Sequence, residues 1–263
     1  MCTPWGSRPG PPGPGRPTAL RGARPPADPN QPVDLRDLLA EPGVVEQCDL
    51  RSRVGFMALH GGSQDRGTDL IAGRAAERSG ASYYAIIQPP WLRRHLRSRC
   101  HDPADSAALR RFLDHVEVAI SVHGFGRDGF LAYIDPERGL VVEPYGPARQ
   151  GAQQGPLRGI IVGGLNPELV EQTRAVLDGR FEGFTVADGR VRLGFHPDNA
   201  VNLPRGRGVQ IELPPGLRGI GPYGERPVPD PDDPIIEQVA SALVELAGRA
   251  AELVDGARGP ERP

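Results

Sequence analysis

Two stretches of the sequence place a histidine directly after an apolar run and a glycine directly after the histidine. "FMALHGGSQDRGTD", residues 56–69, contains His60 and, five positions later, Asp65, while "VEVAISVHGF", residues 116–125, contains His123. Neutral imidazole is a common zinc ligand, and glycine lets the backbone approach a crowded site. We predict that these three residues bind one zinc ion and leave an open position for water, as in catalytic sites. The alternative is that histidines at strand ends hydrogen-bond loop carbonyls.

A carboxylate on an apolar strand is the second candidate for chemistry. Glu212 lies in "GVQIEL", residues 208–213, among neighbours that favour burial. A buried carboxylate is costly unless it is paired or functional. Beside a metal-activated water it would act as the general base. The alternative is an ion pair with Arg207 or Arg218.

The segment around that strand offers groups that could bind an acidic substrate. Arg207 and Arg218 flank the strand, and the forked donors of arginine suit carboxylates. Asn202 is a further candidate for substrate contact, although a loop role is the competing interpretation. Every Lys-or-Arg position of the chain is an arginine, so a single arginine carries less functional weight than usual.

Composition excludes several classes of partner. The net charge is −2 with both signs mixed along the chain, which argues against nucleic acid as a partner because that needs a concentrated basic face. The basic segment "WLRRHLRSRCH", residues 91–101, is interpreted as a solvated helix face, and the remaining histidines as surface or structural residues: His95, His101, His115 and His196. No apolar run is long enough to span a membrane. Three irregularly spaced cysteines indicate no disulfide framework, and we expect a cytoplasmic protein.

Helical and strand patterns alternate along the chain. Helical spacing over 68–80, 105–116, 166–181 and 233–257 alternates with apolar runs over 54–59, 82–88, 116–125, 159–166 and 208–213. This order predicts an α/β fold with a mixed, largely parallel sheet flanked by helices. Active sites in such sheets gather at the carboxyl ends of the strands. We expect one catalytic domain over 33–257, a disordered Pro/Gly/Arg-rich tail over 1–32 and a second disordered tail over 258–263.

Four stretches together resemble the poly-γ-glutamate hydrolase family known from bacteriophages. They are, in order, "LHGGSQDRGTDLIA", "AISVHGF", "IIVGGLNPELVEQTRAVL" and "HPDNAVNLPRGRGVQIELPPGLR", and they span roughly residues 45–250. The resemblance implies a compact zinc carboxypeptidase-like three-layer sandwich. It also implies that zinc is held by His60, His123 and Asp65, where the family usually has glutamate. Glu212 would be the general base, and Arg207 or Arg218 would face substrate carboxylates.

The function expected from these residues is zinc-dependent hydrolysis of amide bonds in an acidic substrate. The γ-glutamyl linkages of poly-γ-glutamate fit best, since each unit of that polymer carries a free α-carboxylate. Two alternatives stay open. One is a binding module that keeps the scaffold without chemistry, which the aspartate at position 65 would favour. The other is an amidohydrolase or deacylase that acts on small N-acyl amino acids or aminoacyl esters.

Overall fold

The computed structural model describes residues 34–125, 130–135, 139–144, 158–187, 194–221, 226 and 228–256. For 130–135 and 139–144 it describes the backbone alone. The predicted tails, residues 1–32 and 258–263, lie outside the described residues, so the domain boundaries at 33 and 257 remain predictions.

Nine strands and five α-helices are described. The strands are β1 (Val45–Asp49), β2 (Val54–Gly62), β3 (Ser82–Gln88), β4 (Val118–Gly124), β5 (Phe130–Asp135), β6 (Gly139–Pro144), β7 (Gly159–Gly164), β8 (Thr185–Val186) and β9 (Gly208–Leu213). The helices are α1 (Leu35–Leu39), α2 (Thr68–Ser79), α3 (Ala107–His115), α4 (Pro167–Leu177) and α5 (Pro234–Gly256). Of the helices in the described ranges, none is long and apolar enough to cross a bilayer.

The helices begin and end where local chemistry favours it. The Ser106 hydroxyl accepts from the Leu109 N–H at the start of α3, and the Asn166 side chain does the same for Leu169 at the start of α4. Helix α2 ends at Gly80, whose left-handed conformation lets its N–H cap the last turn. Capping residues in the sequence therefore mark these boundaries directly.

Seven strands form one sheet in the order β1-β3-β2-β4-β9-β7-β8, and β5 and β6 form a separate antiparallel pair. Within the sheet, β2 runs parallel to β3 and β4, β4 to β9, and β7 to β8. The β1–β3 and β7–β9 pairs are antiparallel. The prediction of a mixed, largely parallel sheet is confirmed. Its adjacent parallel strands β2, β4 and β9 end at the same edge.

Helices cover both faces of the sheet. Apolar side chains of α2, α4 and α5 pack on one face in the larger core cluster, with Phe56, Ile120 and Ile211 from the sheet. Helices α1 and α3 pack on the other face, with Met57, Leu59 and other residues of opposite parity. This gives the three-layer sandwich that the sequence predicted. We call the second face, covered by α1 and α3, the α1/α3 face.

A β-bulge decides which face His60 occupies. Ala58 pairs with Ala85 and Gly61 with Ile87, so β2 has one more residue than β3 over this interval. Strict alternation would place His60 with Ala58, on the side of α2. The extra residue instead turns both Leu59 and His60 to the α1/α3 face, since a bulge resets the alternation of the strand that carries it.

Gly62 lets the chain turn away from the sheet immediately after this bulge. Its φ is 69°, in the left-handed region, and a Cβ built there would lie 2.2 Å from the Gln88 carbonyl oxygen. Only glycine fits without moving β3. Both the backbone conformation and the lack of space for a side chain therefore require glycine at the second position of "HGG".

Substitution of Gly62 by alanine should destabilise the protein by at least about 3 kcal/mol, from left-handed strain plus a clash with backbone. Gly80→Ala is the matched control, because Gly80 has the same φ of 69° but nothing within 4 Å of its Cβ position. That control should cost about 1 kcal/mol. The free energies of unfolding in denaturant give the comparison, and equal losses in the two variants would contradict the steric argument.

Candidate metal centre

Three of the predicted residues converge at the carboxyl edge of the sheet. The distance between His60 Nδ1 and Asp65 Oδ2 is 3.1 Å, that between His123 Nδ1 and Asp65 Oδ2 is 3.5 Å, and that between the two Nδ1 atoms is 3.1 Å. Zinc bonds of about 2.0–2.2 Å in a tetrahedron keep neighbouring donors about 3.3–3.5 Å apart. All three residues are buried, and among the described residues they form a group able to share one ion.

A tight loop brings the shorter aspartate within reach. The Asp65 N–H donates to the His60 carbonyl at 2.7 Å, which curls residues 60–65 back on themselves. Beyond the loop, the Thr68 hydroxyl and N–H both donate to the Asp65 carbonyl at the start of α2. This closure of the backbone places the short aspartate side chain against both histidines.

The outer nitrogen of each imidazole is held by a different group. His60 Nε2 lies 2.7 Å from the Leu96 carbonyl oxygen, which can only accept, so Nε2 carries a proton. In the neutral ring Nδ1 then keeps a lone pair for a ligand, and in the protonated ring it donates to Asp65. His123 Nε2 lies 2.8 Å from Ser121 Oγ. Both outer contacts orient the rings, and the carbonyl contact also fixes the tautomer of neutral His60.

Burial and hydrogen bonding shift the pKa values of Asp65 and His60 in opposite directions. Burial acts to raise the pKa of Asp65, but the hydrogen bonds from His123 and His60 outweigh it and hold that pKa well below its usual range. Burial acts to lower the pKa of His60, yet the hydrogen bond and charge of Asp65 outweigh it and raise that pKa. The carboxylate therefore stays ionised, as a metal ligand must be.

Glu212 stands beside the group on the neighbouring strand. It is the register partner of His123 between β9 and β4, so both side chains lie on the α1/α3 face. Burial raises the pKa of Glu212, with the nearby His123 charge opposing it. The Gln210 Nε2–H donates to Glu212 Oε1 at 2.8 Å. A partly desolvated carboxylate next to three candidate metal ligands suits a general base.

The segment 91–101 contacts the centre and is not a helix, so its interpretation as a helix face is wrong, although Arg93, Arg97 and Arg99 are exposed. It is irregular except for a single 3₁₀ turn, Ser98–Cys100. The ring of His95 lies 5.0 Å, and that of His101 5.7 Å, from the ring of His60. Burial, together with the charge of His60, lowers the pKa of His101 to about 3. His95 is exposed at the surface, and partial burial of its ring, together with the same charge, lowers its pKa to about 4. Nothing in their spacing distinguished them from surface histidines.

Two residues predicted to contact substrate lie elsewhere. Arg207 is exposed at the amino end of β9, five residues or roughly 16 Å along the strand from Glu212. Asn202 is buried, donates to the Gly194 and His196 carbonyls and accepts from the Leu165 N–H. Arg207 is therefore at the opposite edge of the sheet from the centre, and the Asn202 side chain stabilises a turn.

Arg218 lies behind the centre and is completely buried. Its guanidinium donates to three backbone carbonyls, those of Leu213 at 3.1 Å, Arg66 at 2.9 Å and Phe125 at 2.8 Å. These carbonyls follow Glu212, Asp65 and His123 along the chain. Arg218 therefore joins the three segments of the centre, which corrects its predicted role as a substrate contact.

The glycine after His123 leaves space for that guanidinium. A Cβ at Gly124 would lie 2.5 Å from Arg218 Cζ. The Gly124 N–H also donates to Asp65 Oδ2 at 3.2 Å, a further constraint on the carboxylate. In the "HG" pair, a candidate ligand is therefore followed by a glycine that admits the buried guanidinium of Arg218.

Comparisons with known proteins agree with this architecture. Residues 37–134, which include all three candidate ligands, match the family model described as poly-gamma-glutamate hydrolase. A bacteriophage poly-gamma-glutamate hydrolase structure is 20% identical, with a TM-score of 0.58, over 80% of this chain and 90% of that one. The structure described as YNDL-apo (zinc-free) is 19% identical, with a TM-score of 0.53, over 79% and 90%. Among curated proteins, no sequence matches the chain.

The chain has the fold of the bacteriophage poly-gamma-glutamate hydrolase structure. The match over residues 37–134 confirms the resemblance to the poly-γ-glutamate hydrolase family, a family of hydrolytic enzymes.

His60→Ala should reduce bound zinc to background in purified protein, because only two protein donors, Asp65 and His123, would remain and catalytic zinc sites use three. Elemental analysis after dialysis measures the metal. His196→Ala is the control, since His196 is exposed and outside the group, and it should bind as much zinc as the unmodified chain. Full occupancy in His60→Ala would remove His60 from the ligand set.

Proposed function

We propose that this chain is a zinc-dependent hydrolase of amide bonds in acidic chains, with γ-glutamyl linkages as its substrate. The observation that carries the proposal is the convergence of His60, Asp65 and His123 beside Glu212 at one edge of the sheet. Three buried donors and an adjacent carboxylate are the parts that metal-assisted hydrolysis requires.

Zinc is the metal that this donor set fits. Two imidazole nitrogens and one carboxylate oxygen, at separations near those of a tetrahedron, leave one position open. The neighbour described as zinc-free supports the same metal. When bound, zinc supplies Lewis acidity that makes water a nucleophile near pH 7 and polarises a carbonyl.

Glu212 would move the proton. Its carboxylate accepts a proton from the attacking water and returns it to the departing amine nitrogen, which leaves as a neutral amine. Burial raises the pKa of Glu212, which makes its carboxylate a stronger base than that of an exposed glutamate. His123 stands beside it and would bind the metal rather than take part in this transfer.

Positive charge for an acidic substrate would come from the segment 91–101. This segment carries Arg93, Arg94, Arg97 and Arg99 and contacts the centre through His95 and the Leu96 carbonyl. Arg97 is exposed, and its carbonyl oxygen lies 3.2 Å from Nδ1 of His101, whose ring is 5.7 Å from that of His60. Poly-γ-glutamate presents a carboxylate on every unit, and arginine binds such groups well.

Glu212→Gln should keep the bound zinc and lower turnover of poly-γ-glutamate at least about 10²-fold, because the amide cannot accept the proton. Gel mobility of the polymer over time measures cleavage, and elemental analysis measures the metal. Turnover at the unmodified rate would show that Glu212 is not the base.

The same assay tests metal dependence. Treatment of the unmodified enzyme with a chelator should stop cleavage, and added zinc should restore it. Cleavage that persists in metal-free protein would contradict the proposed chemistry. Cleavage of a γ-glutamyl dipeptide but not of the polymer would instead restrict the substrate to small molecules.

Arg97→Gln should raise KM for the polymer several-fold and leave kcat within about two-fold, because an exposed cation adds binding rather than chemistry. The increase should shrink at high salt, where exposed charges are screened. Arg180→Gln is the control, since Arg180 is exposed and pairs with Glu245 far along the chain from the centre. An equal KM in the Arg97 variant would exclude it from substrate recognition.

A further inference from the structure

Two buried side-chain amides, those of Asn199 and Gln210, form a hydrogen-bonded chain that ends at the carboxylate of Glu212, the proposed general base. The Asn199 Nδ2–H donates to Gln210 Oε1 at 2.8 Å, and the Gln210 Nε2–H donates to Glu212 Oε1 at 2.8 Å. Asn199 and Gln210 are 5% and 6% exposed, so water does not compete effectively for these bonds.

The direction of this chain is set by the backbone. The Val201 N–H, which can only donate, bonds to Asn199 Oδ1 at 3.3 Å. Asn199 must therefore present its NH₂ group to Gln210, and Gln210 must accept with Oε1 and present Nε2 to Glu212. Each amide orientation follows from the one before it, so the carboxylate always meets a donor.

The same arrangement recurs on the adjacent strand. Ser121 Oγ lies 2.8 Å from Nε2 of His123, two residues later on β4, as the Gln210 Nε2–H donates to Glu212, two residues later on β9. Ser121 and Gln210 are register partners, and so are His123 and Glu212. One row of the sheet thus carries the reacting groups, and the row behind it orients them.

We propose that Gln210, held by Asn199, is a positioning residue for Glu212. It binds Oε1 and so leaves Oε2 of the carboxylate for the proton of the attacking water. The inference rests on the proposed function of Glu212 as the base. We call the hydrogen-bonded series Val201 N–H, Asn199, Gln210 and Glu212 the amide relay. In this proposal, the relay must hold the carboxylate of Glu212 in one orientation for the base to act.

The sharpest test reverses the relay without removing the turn that supports it. In Asn199→Asp, one carboxylate oxygen still accepts from the Val201 N–H, but the other cannot donate to Gln210. The Gln210 amide should turn over and present Oε1 to Glu212, an acceptor facing an acceptor. Gln210→Leu removes the donor altogether at similar volume.

Both variants should lower kcat for poly-γ-glutamate about 10-fold or more, with KM and bound zinc within about two-fold of the unmodified enzyme. The double variant should be no slower than Gln210→Leu, because the relay is already broken. Thr173→Val is the control: it removes a buried hydroxyl bonded to Leu169 within α4, and kcat should not change. Additive losses, or kcat that falls only as zinc is lost, would overturn the proposal.

A readout independent of turnover separates this inference from the proposed function. In zinc-loaded, ¹⁵N-labelled protein, the Gln210 side-chain amide resonance, assigned by its loss in Gln210→Leu, should shift markedly in Asn199→Asp. No shift overturns the relay whatever the activity. If the unmodified enzyme fails to cleave the polymer but the resonance shifts, the proposed substrate is wrong and the relay stands.

Discussion

The centre depends on one buried guanidinium. Arg218 bonds to the carbonyls of Leu213, Arg66 and Phe125, each one or two residues beyond Glu212, Asp65 and His123. Hydrogen bonds from a charged donor contribute about 1.5–3 kcal/mol each, and carbonyls left without one in a buried place carry a desolvation penalty. Three segments that are distant along the chain are therefore fixed relative to one another before any ion or substrate binds.

The sheet supplies the second constraint. Because β2, β4 and β9 are adjacent and parallel, their carboxyl ends meet at one edge, where side chains of matching parity face the same side. The strands then repeat a pattern of support: Ser121 holds His123, and Gln210 holds Glu212. Rigid strands carry the histidines and the glutamate, while the loop after β2 carries the aspartate. Such preorganisation keeps reacting groups in place without a cost at the moment of reaction.

Much of the fold could be predicted from the sequence because its signals are local. The strands Ser82–Gln88 and Gly208–Leu213 have the predicted bounds, and α2 and α4 begin or end at the capping residues Gly80 and Asn166. The weaker elements were missed. Strand β1 lies at the edge of the sheet with alternating exposed positions, and α1 is a single short turn of helix, so neither has an apolar pattern long enough to identify it.

By itself, the sequence determined the residue types of the centre and their place at strand ends, since apolar runs, glycines and caps act over a few neighbouring residues. Only the tertiary structure decided the rest. A one-residue bulge turned His60 toward His123, and the apolar sequence of β2 gives no sign of that bulge. Packing of distant segments directed Arg218 to backbone carbonyls, left Arg207 at the far edge of the sheet and brought 91–101 against the candidate metal centre. Contacts between residues far apart along the chain depend on register and strand order, which no local pattern encodes.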